Sequence, residues 1–275
     1  MEHHFKYTDL SSKEEDVVWG QDIEPLLVHL PANALKVWHY SFTEMFNNAL
    51  DHSEGTAISV LVTLEPERTK VVLRDNGIGI FKKIQRALNL DNESHSILEL
   101  AKGKLTTDPN RHSGEGIFFT SRVLDRFIIF SGEVFFSHDV RHSEDWILEG
   151  DDVGNGTYVD MELSNQSART TKEVFDMFTA SSEDFGFSKT VIPVDLVKYG
   201  KGNLVSRSAA KRMLARVDKF KTVVLDFEGV DEVGQGFADE VFRVFANAHP
   251  DLTLISINTS EDIERMILWV KAKEA

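Results

Sequence analysis

YSFTEMFNNALDH, residues 40–52, carries two unlike faces when wound as a helix. At helical spacing Phe42, Met45, Phe46, Ala49 and Leu50 form one apolar stripe. Glu44, Asn47, Asn48, Asp51 and His52 repeat that spacing on the other side. A merely solvated face is normally built from Lys, Arg and Glu, because Asn and Asp compete for their own backbone hydrogen bonds and weaken a helix. Short polar groups in this position point to a ligand.

Three further stretches follow in order. Arg74-Asp75-Asn76-Gly77-Ile78-Gly79-Ile80 comes after a strand-like run, Val71–Leu73. Ser113-Gly114-Glu115-Gly116-Ile117 opens another helical pattern, and Gly154-Asn155-Gly156-Thr157 precedes a late strand. ExxxN on a helix, DNGIG after a strand, a glycine-rich lid and GNGT span residues 20–165. Taken in that order they resemble the ATP-binding domain of the GHKL superfamily, which includes gyrases, heat-shock chaperones, histidine kinases and mismatch-repair ATPases.

The resemblance implies roles, and the residues by themselves allow plainer ones. Glu44 and Asn48 are one turn apart, where a carboxylate can accept a proton from an attacking water or hydroxyl and a neutral amide oxygen can ligate Mg²⁺. By resemblance Asn48 is the magnesium ligand and Glu44 the general base; taken alone, Glu44 is a helix-surface acid. Sensor histidine kinases commonly have another residue type at the Glu44 position, so the chemistry implied is that of an ATPase or a serine/threonine-type protein kinase. Asp75 matches the aspartate that accepts the adenine amino group, while Gly77 and Gly79 let the backbone pass close to the base. Gly114 and Gly116 can offer N–H groups to phosphates at a helix start. Lys102, Lys104, Arg111 and His112 stand in the lid, where they either neutralise the γ-phosphate or form a solvated surface. Asp51, like Asn47, either holds the nucleotide or caps a loop. Thr157 either supports adenine or is an ordinary strand threonine, and His52 either donates to a phosphate or packs against the strand, packing being the expectation.

Composition narrows the partners. A net charge of −15, from 45 acidic and 30 basic residues, argues against nucleic acid as the main partner. The absence of cysteine removes disulfides, thiolate metal sites and cysteine nucleophiles. The ten histidines show no ligand spacing. With neither a signal-peptide pattern nor an apolar run of membrane-spanning length, a cytoplasmic protein with no membrane partner is expected.

The fold class expected is α/β. Residues 1–19 read as an N-terminal tail, and residues 20–165 as the ATP-binding domain. Helices are expected over 34–52, 81–88, 97–101 and 116–124, with strands over 57–64, 69–73, 127–136, 145–148 and 157–163. That order gives a two-layer α/β sandwich, and by resemblance the Bergerat-type ATP-binding fold. Residues 166–189 read as a linker with one short helix. Over residues 190–275 strands and helices alternate, which implies a small, largely parallel sheet with crossover helices. Within it VVLDFEGVDEVGQGFADEVFRVF, residues 223–245, resembles the STAS fold of anti-sigma-factor antagonists, and more closely its STAS-like relatives. Antagonist STAS proteins begin the following helix with a phosphorylated serine. Here Val233-Gly234-Gln235-Gly236-Phe237 stands in its place, so the phosphoswitch does not carry over. Ser206, Ser208 and Thr259 are other hydroxyls that could be substrates.

Together these readings imply a regulator that binds ATP and Mg²⁺, with the STAS-like module docking a regulatory protein partner; self-association as a homodimer stays open. The alternative is a non-catalytic, nucleotide-gated interaction switch.

Overall fold

The computed structural model describes residues 1–106, 113–140, 146–149, 154–180, 186–198 and 204–272. Arg111 and His112 lie outside the described residues. The chain forms two compact units of α/β class, Met1–Ser96 with Leu105–Asp176, and Ile97–Lys104 with Met177–Ala275.

The first unit begins with β1 (Glu2–Tyr7) and two short helices, α1 (Glu15–Val18) and α2 (Glu24–Leu27), joined by a π turn. Then come α3 (Ala32–His52), β2 (Ile58–Leu64), β3 (Arg68–Asp75), α4 (Ile80–Leu88) and α5 (Ser94–Lys102). The last part of α5, from Ile97, belongs to the second unit. α6 (Gly116–Val123), β4 (Arg126–Ser131), β5 (Val134–Asp139), β6 (Trp146–Glu149), β7 (Tyr158–Ser164) and α7 (Thr171–Met177) complete the series.

The seven strands make one sheet in the order β1-β2-β3-β7-β4-β5-β6. Every pairing is antiparallel. On β3 Thr69, Val71, Leu73 and Asp75 are all buried, so alternation puts one side of the strand in the core and carries Asp75 there at its end. α3 contacts this strand and α6. Its apolar stripe is buried at Phe42, Met45, Phe46 and Ala49, and the rings of Phe42 and Phe46 stack at 5.4 Å. Removing each such ring from water stabilises the fold by roughly 2–3 kcal/mol, which holds the polar half of the helix in a fixed orientation.

Two local readings are corrected. Residues 2–7, expected within a tail, form the edge strand β1, in register with β2. The reason is an alternation in EHHFKY: Tyr7 turns inward and its ring meets Phe46 edge-on at 5.3 Å. The stretch 127–136, counted as one strand with Gly132 at a turn, is two strands of a hairpin. Gly132, at φ +61, turns the chain between β4 and β5, a conformation that side chains with a Cβ disfavour.

The second unit contains β8 (Lys189–Pro193), α8 (Arg207–Leu214), β9 (Thr222–Asp226), α9 (Gln235–Asp239), α10 (Ala246–Ala248), β10 (Thr253–Ile257) and α11 (Glu261–Lys271). A π-helical stretch, Glu240–Phe245, joins α9 to α10. The sheet is parallel throughout, in the order β10-β9-β8, with Val223, Val224 and Leu225 of the central strand buried. Ser206 and Ser260 cap α8 and α11, each accepting a backbone N–H at 3.2 Å. Among the described residues no helix is long and apolar enough to cross a membrane.

Candidate functional site

α3 ends at His52 with Ser53 as its C-cap, and the loop after β3 is fastened to that end. Asn76 Oδ1 accepts the backbone N–H groups of Thr56 (2.8 Å) and Ala57 (2.9 Å), and the Ile78 N–H donates to the Ser53 carbonyl at 2.9 Å. Lys83, on α4, donates to the His52 carbonyl at 2.6 Å, satisfying one of the acceptors left open at the helix terminus. A side chain at Gly77 would overlap the Ser53 backbone, so the glycine is required by close approach. Asn76 is therefore the residue that holds the turn, and Asp75 is left to do something else.

Asp75 is 3% exposed. Its Oδ1 accepts the N–H of Gly77 at 2.8 Å and of Thr157 at 3.2 Å. Burial holds its carboxyl above the usual carboxylate range, against the lowering effect of those hydrogen bonds. Thr157 has a second task, since its hydroxyl accepts the Ile80 N–H at 3.1 Å at the start of α4. Gly156 sits where a Cβ would overlap the Asp75 carbonyl, and Gly79 where one would overlap Ser131 Oγ. Ser131 in turn donates to the Gly156 carbonyl at 2.9 Å. DNGIG and GNGT are thus built into one piece around a buried carboxylate.

The polar face of α3 meets the glycine-rich segment. A Cβ on Gly116 would overlap the Glu44 carboxylate, which places that carboxylate at the first residue of α6. Gly114, at φ +73, lies against the Leu105 backbone and accepts its N–H at 3.0 Å. Glu44, Asn47 and Asn48 are half-buried and Asp51 is exposed. Neither Asn47 nor Asn48 makes a side-chain hydrogen bond among the described residues. Half-buried amides without protein partners have donors and acceptors to offer a ligand.

Tyr40 and Glu115 were not among the residues singled out from sequence. Burial, with the Glu44 and Glu115 carboxylates beside it, holds the Tyr40 phenol well above its ordinary range. Its position one turn before Glu44 was the available signal. Asn76, Lys83 and Ser131 act chiefly on backbone carbonyl and N–H groups, Asn76 also donating to the Thr56 hydroxyl at 3.0 Å, and left no pattern to find.

Lys102 and Lys104, placed in the lid by sequence, both belong to the second unit. Lys102 is 2% exposed and donates to Glu99 at 2.8 Å. It also donates to the carbonyls of Arg212 (3.2 Å) and Ala215 (2.9 Å), and so caps the C-terminal end of α8. Arg216 takes both oxygens of the same Glu99 carboxylate, at 2.9 and 2.8 Å. Burial drives the Lys102 ammonium down to about 8, Glu99 opposing that shift. Lys104 donates to the Lys219 carbonyl at 3.3 Å and lies 5.0 Å from the centre of the Phe220 ring. These lysines are structural members of the second unit, because the helical pattern beginning at Ser94 continues to Lys102 and carries them there.

That unit alternates strand and helix around β9, the central strand of a parallel sheet. Residues 209–264 match the STAS-like domain of unknown function (DUF4325). The STAS-like match runs from within α8 to the first turn of α11, and so takes in β9, α9 and β10. No curated protein matches the chain. In the STAS-like unit Ser206 is a helix cap and Thr259 donates to Glu264 at 3.0 Å, while Gly234 and Gly236 pack against Val205. Among the described residues no group of three or more His, Asp or Glu side chains is placed to hold a metal ion by itself.

Proposed function

We propose that the chain is an ATP- and Mg²⁺-binding regulatory protein of the GHKL type whose STAS-like unit docks a protein partner. The observation that carries this reading is the buried Asp75 carboxylate, held by the N–H groups of Gly77 and Thr157 at the end of β3. A carboxylate so placed keeps acceptor capacity for an exocyclic amine such as that of adenine. Asn48 fits a magnesium ligand, since its amide has no protein hydrogen bond among the described residues. Glu44, against Gly116, would take the proton of the attacking water or hydroxyl, and the α6 start would present N–H groups to phosphate. Bound nucleotide supplies the transferable γ-phosphoryl group. The net charge of −15 and the lack of a membrane-crossing helix among the described residues fit a cytoplasmic setting.

The test is incubation of wild type and Glu44→Ala with [γ-³²P]ATP and Mg²⁺, following free phosphate and label retained on protein. Label lost in the variant identifies a kinase, and free phosphate alone an ATPase. Nucleotide binding without either identifies the non-catalytic switch. Absence of Mg²⁺-dependent ATP binding by wild type overturns the reading.

A further inference from the structure

Arg74 and Asp75 are neighbours on β3, and their side chains leave opposite faces of the sheet. On the Arg74 face, register sets Arg74 directly beside Tyr158 of β7, Tyr158 beside Phe130 of β4, and Phe130 beside Phe135 of β5. The end of this row is hollow. A cavity of about 290 Å³ is lined by Arg74, Phe130, Asn155, Gly156, Thr157 and Tyr158.

Thr157 is engaged with Asp75 and Ile80, and the Tyr158 phenol lies in the field of Asp160 and Arg126, but three lining side chains keep hydrogen-bonding capacity. Among the described residues the Arg74 guanidinium makes no ion pair or hydrogen bond, and the Tyr158 hydroxyl and Asn155 amide make no hydrogen bond. The carboxylate one step along the face, Asp160, already faces Arg126 at 3.8 Å. An unpaired guanidinium at the mouth of an aromatic-walled hollow selects an anion with a flat apolar body. The fork of N–H groups matches a carboxylate, and the rings cover the body. The volume lies at the small end of ligand cavities, which run from about 300 to 1,000 Å³, so a single ring fits better than a nucleotide.

We propose that this cavity binds a small aromatic or cyclic carboxylate, with the carboxylate on Arg74 and the ring lying against Phe130 and Tyr158. Thr157 lines the cavity and also donates its N–H to Asp75, so one loop forms a wall of both places. The proposal does not depend on nucleotide binding, and its test omits nucleotide.

The full chain is titrated with benzoate, 3-phenylpropionate and cyclohexanecarboxylate, with benzyl alcohol as the neutral counterpart, by ligand-observed NMR. Saturable binding of at least one carboxylate is expected, with benzyl alcohol at least about tenfold weaker, the factor that losing one charge-assisted pair gives. Arg74→Gln is expected to remove that preference, and Phe130→Ala to weaken the carboxylate and the alcohol alike. Because Arg74 is exposed, its variant keeps the fold, which circular dichroism checks. No saturable binding of any carboxylate overturns the proposal, as does equal affinity for benzoate and benzyl alcohol or an unchanged preference in Arg74→Gln.

Discussion

The carboxylate of Glu44 fills the space that a side chain on Gly116 would need, so α3 and the first turn of α6 meet with no room for a Cβ. The obstacle is the far end of a flexible side chain, so Gly116→Ala is expected to fold, with stability within about 1 kcal/mol of wild type. Glu44 has to swing away. On the proposed function, in which Glu44 is the general base, phosphate release is expected to fall by about 100-fold while nucleotide affinity stays within a few-fold. Urea unfolding, phosphate release and nucleotide titration on one preparation separate the two effects.

Gly156 presents the opposite case. Its φ is +100 and a Cβ would overlap the Asp75 carbonyl, which is backbone and cannot swing aside. Gly156→Ala is expected to cost about 2–4 kcal/mol. Gly154, at φ +85 with nothing near its absent Cβ, supplies the control, and Gly154→Ala is expected to cost about 1 kcal/mol. Urea midpoints of the two variants should therefore differ clearly; equal losses would mean that the approach to Asp75 is unimportant.

Burial raises the folded-state pKa of Asp75 above its unfolded value, so between the two the native state holds the extra proton. Stability therefore falls as pH rises through that window, from about 4 upward. Asp75→Asn keeps an acceptor for Gly77 and Thr157 and has no charge to bury. It is expected to be more stable than wild type at neutral pH, with the difference closing toward pH 4, and to lose nucleotide binding. Denaturation across that range, with nucleotide titration at pH 7, checks both.

Lys102 titrates with the reverse sign. Its ammonium is brought down to about 8 from 10.5, so between those values the unfolded chain binds more protons and stability rises with pH. Lys102→Met should flatten that slope. Glu99→Ala leaves the buried Lys102 ammonium and the half-buried Arg216 guanidinium without their carboxylate, and is expected to cost about 3 kcal/mol, chiefly through Lys102. Lys102→Met leaves the Glu99–Arg216 pair in place and should cost less. Urea unfolding orders the two.

What was legible in the sequence had a local cause. The buried stripe of α3 follows from spacing alone, and so does the alternation of strand and helix around β9. The Glu44–Gly116 approach and the double use of Thr157 are long-range, and only motif order hinted at them. β1 was hidden because the histidine pair obscures a period of two in EHHFKY. The lysines of KGK look like lid residues in a glycine-rich run. Lys102 nevertheless ends a helix, and its partners Arg212 and Ala215 lie more than a hundred positions away, with no nearby signal to announce them.

The second unit is stitched from two separate lengths of chain, Ile97–Lys104 and Met177–Ala275, with Leu105–Asp176 spent elsewhere in between. On a ribosome, Glu99 and Lys102 emerge long before Arg212, Ala215 and Arg216 exist to receive them. Two buried-to-be charges must wait in the nascent chain for the far end of the protein. No single cut can release the STAS-like unit whole, and a graft of residues 177–275 onto another protein would arrive without the ammonium that closes the end of α8.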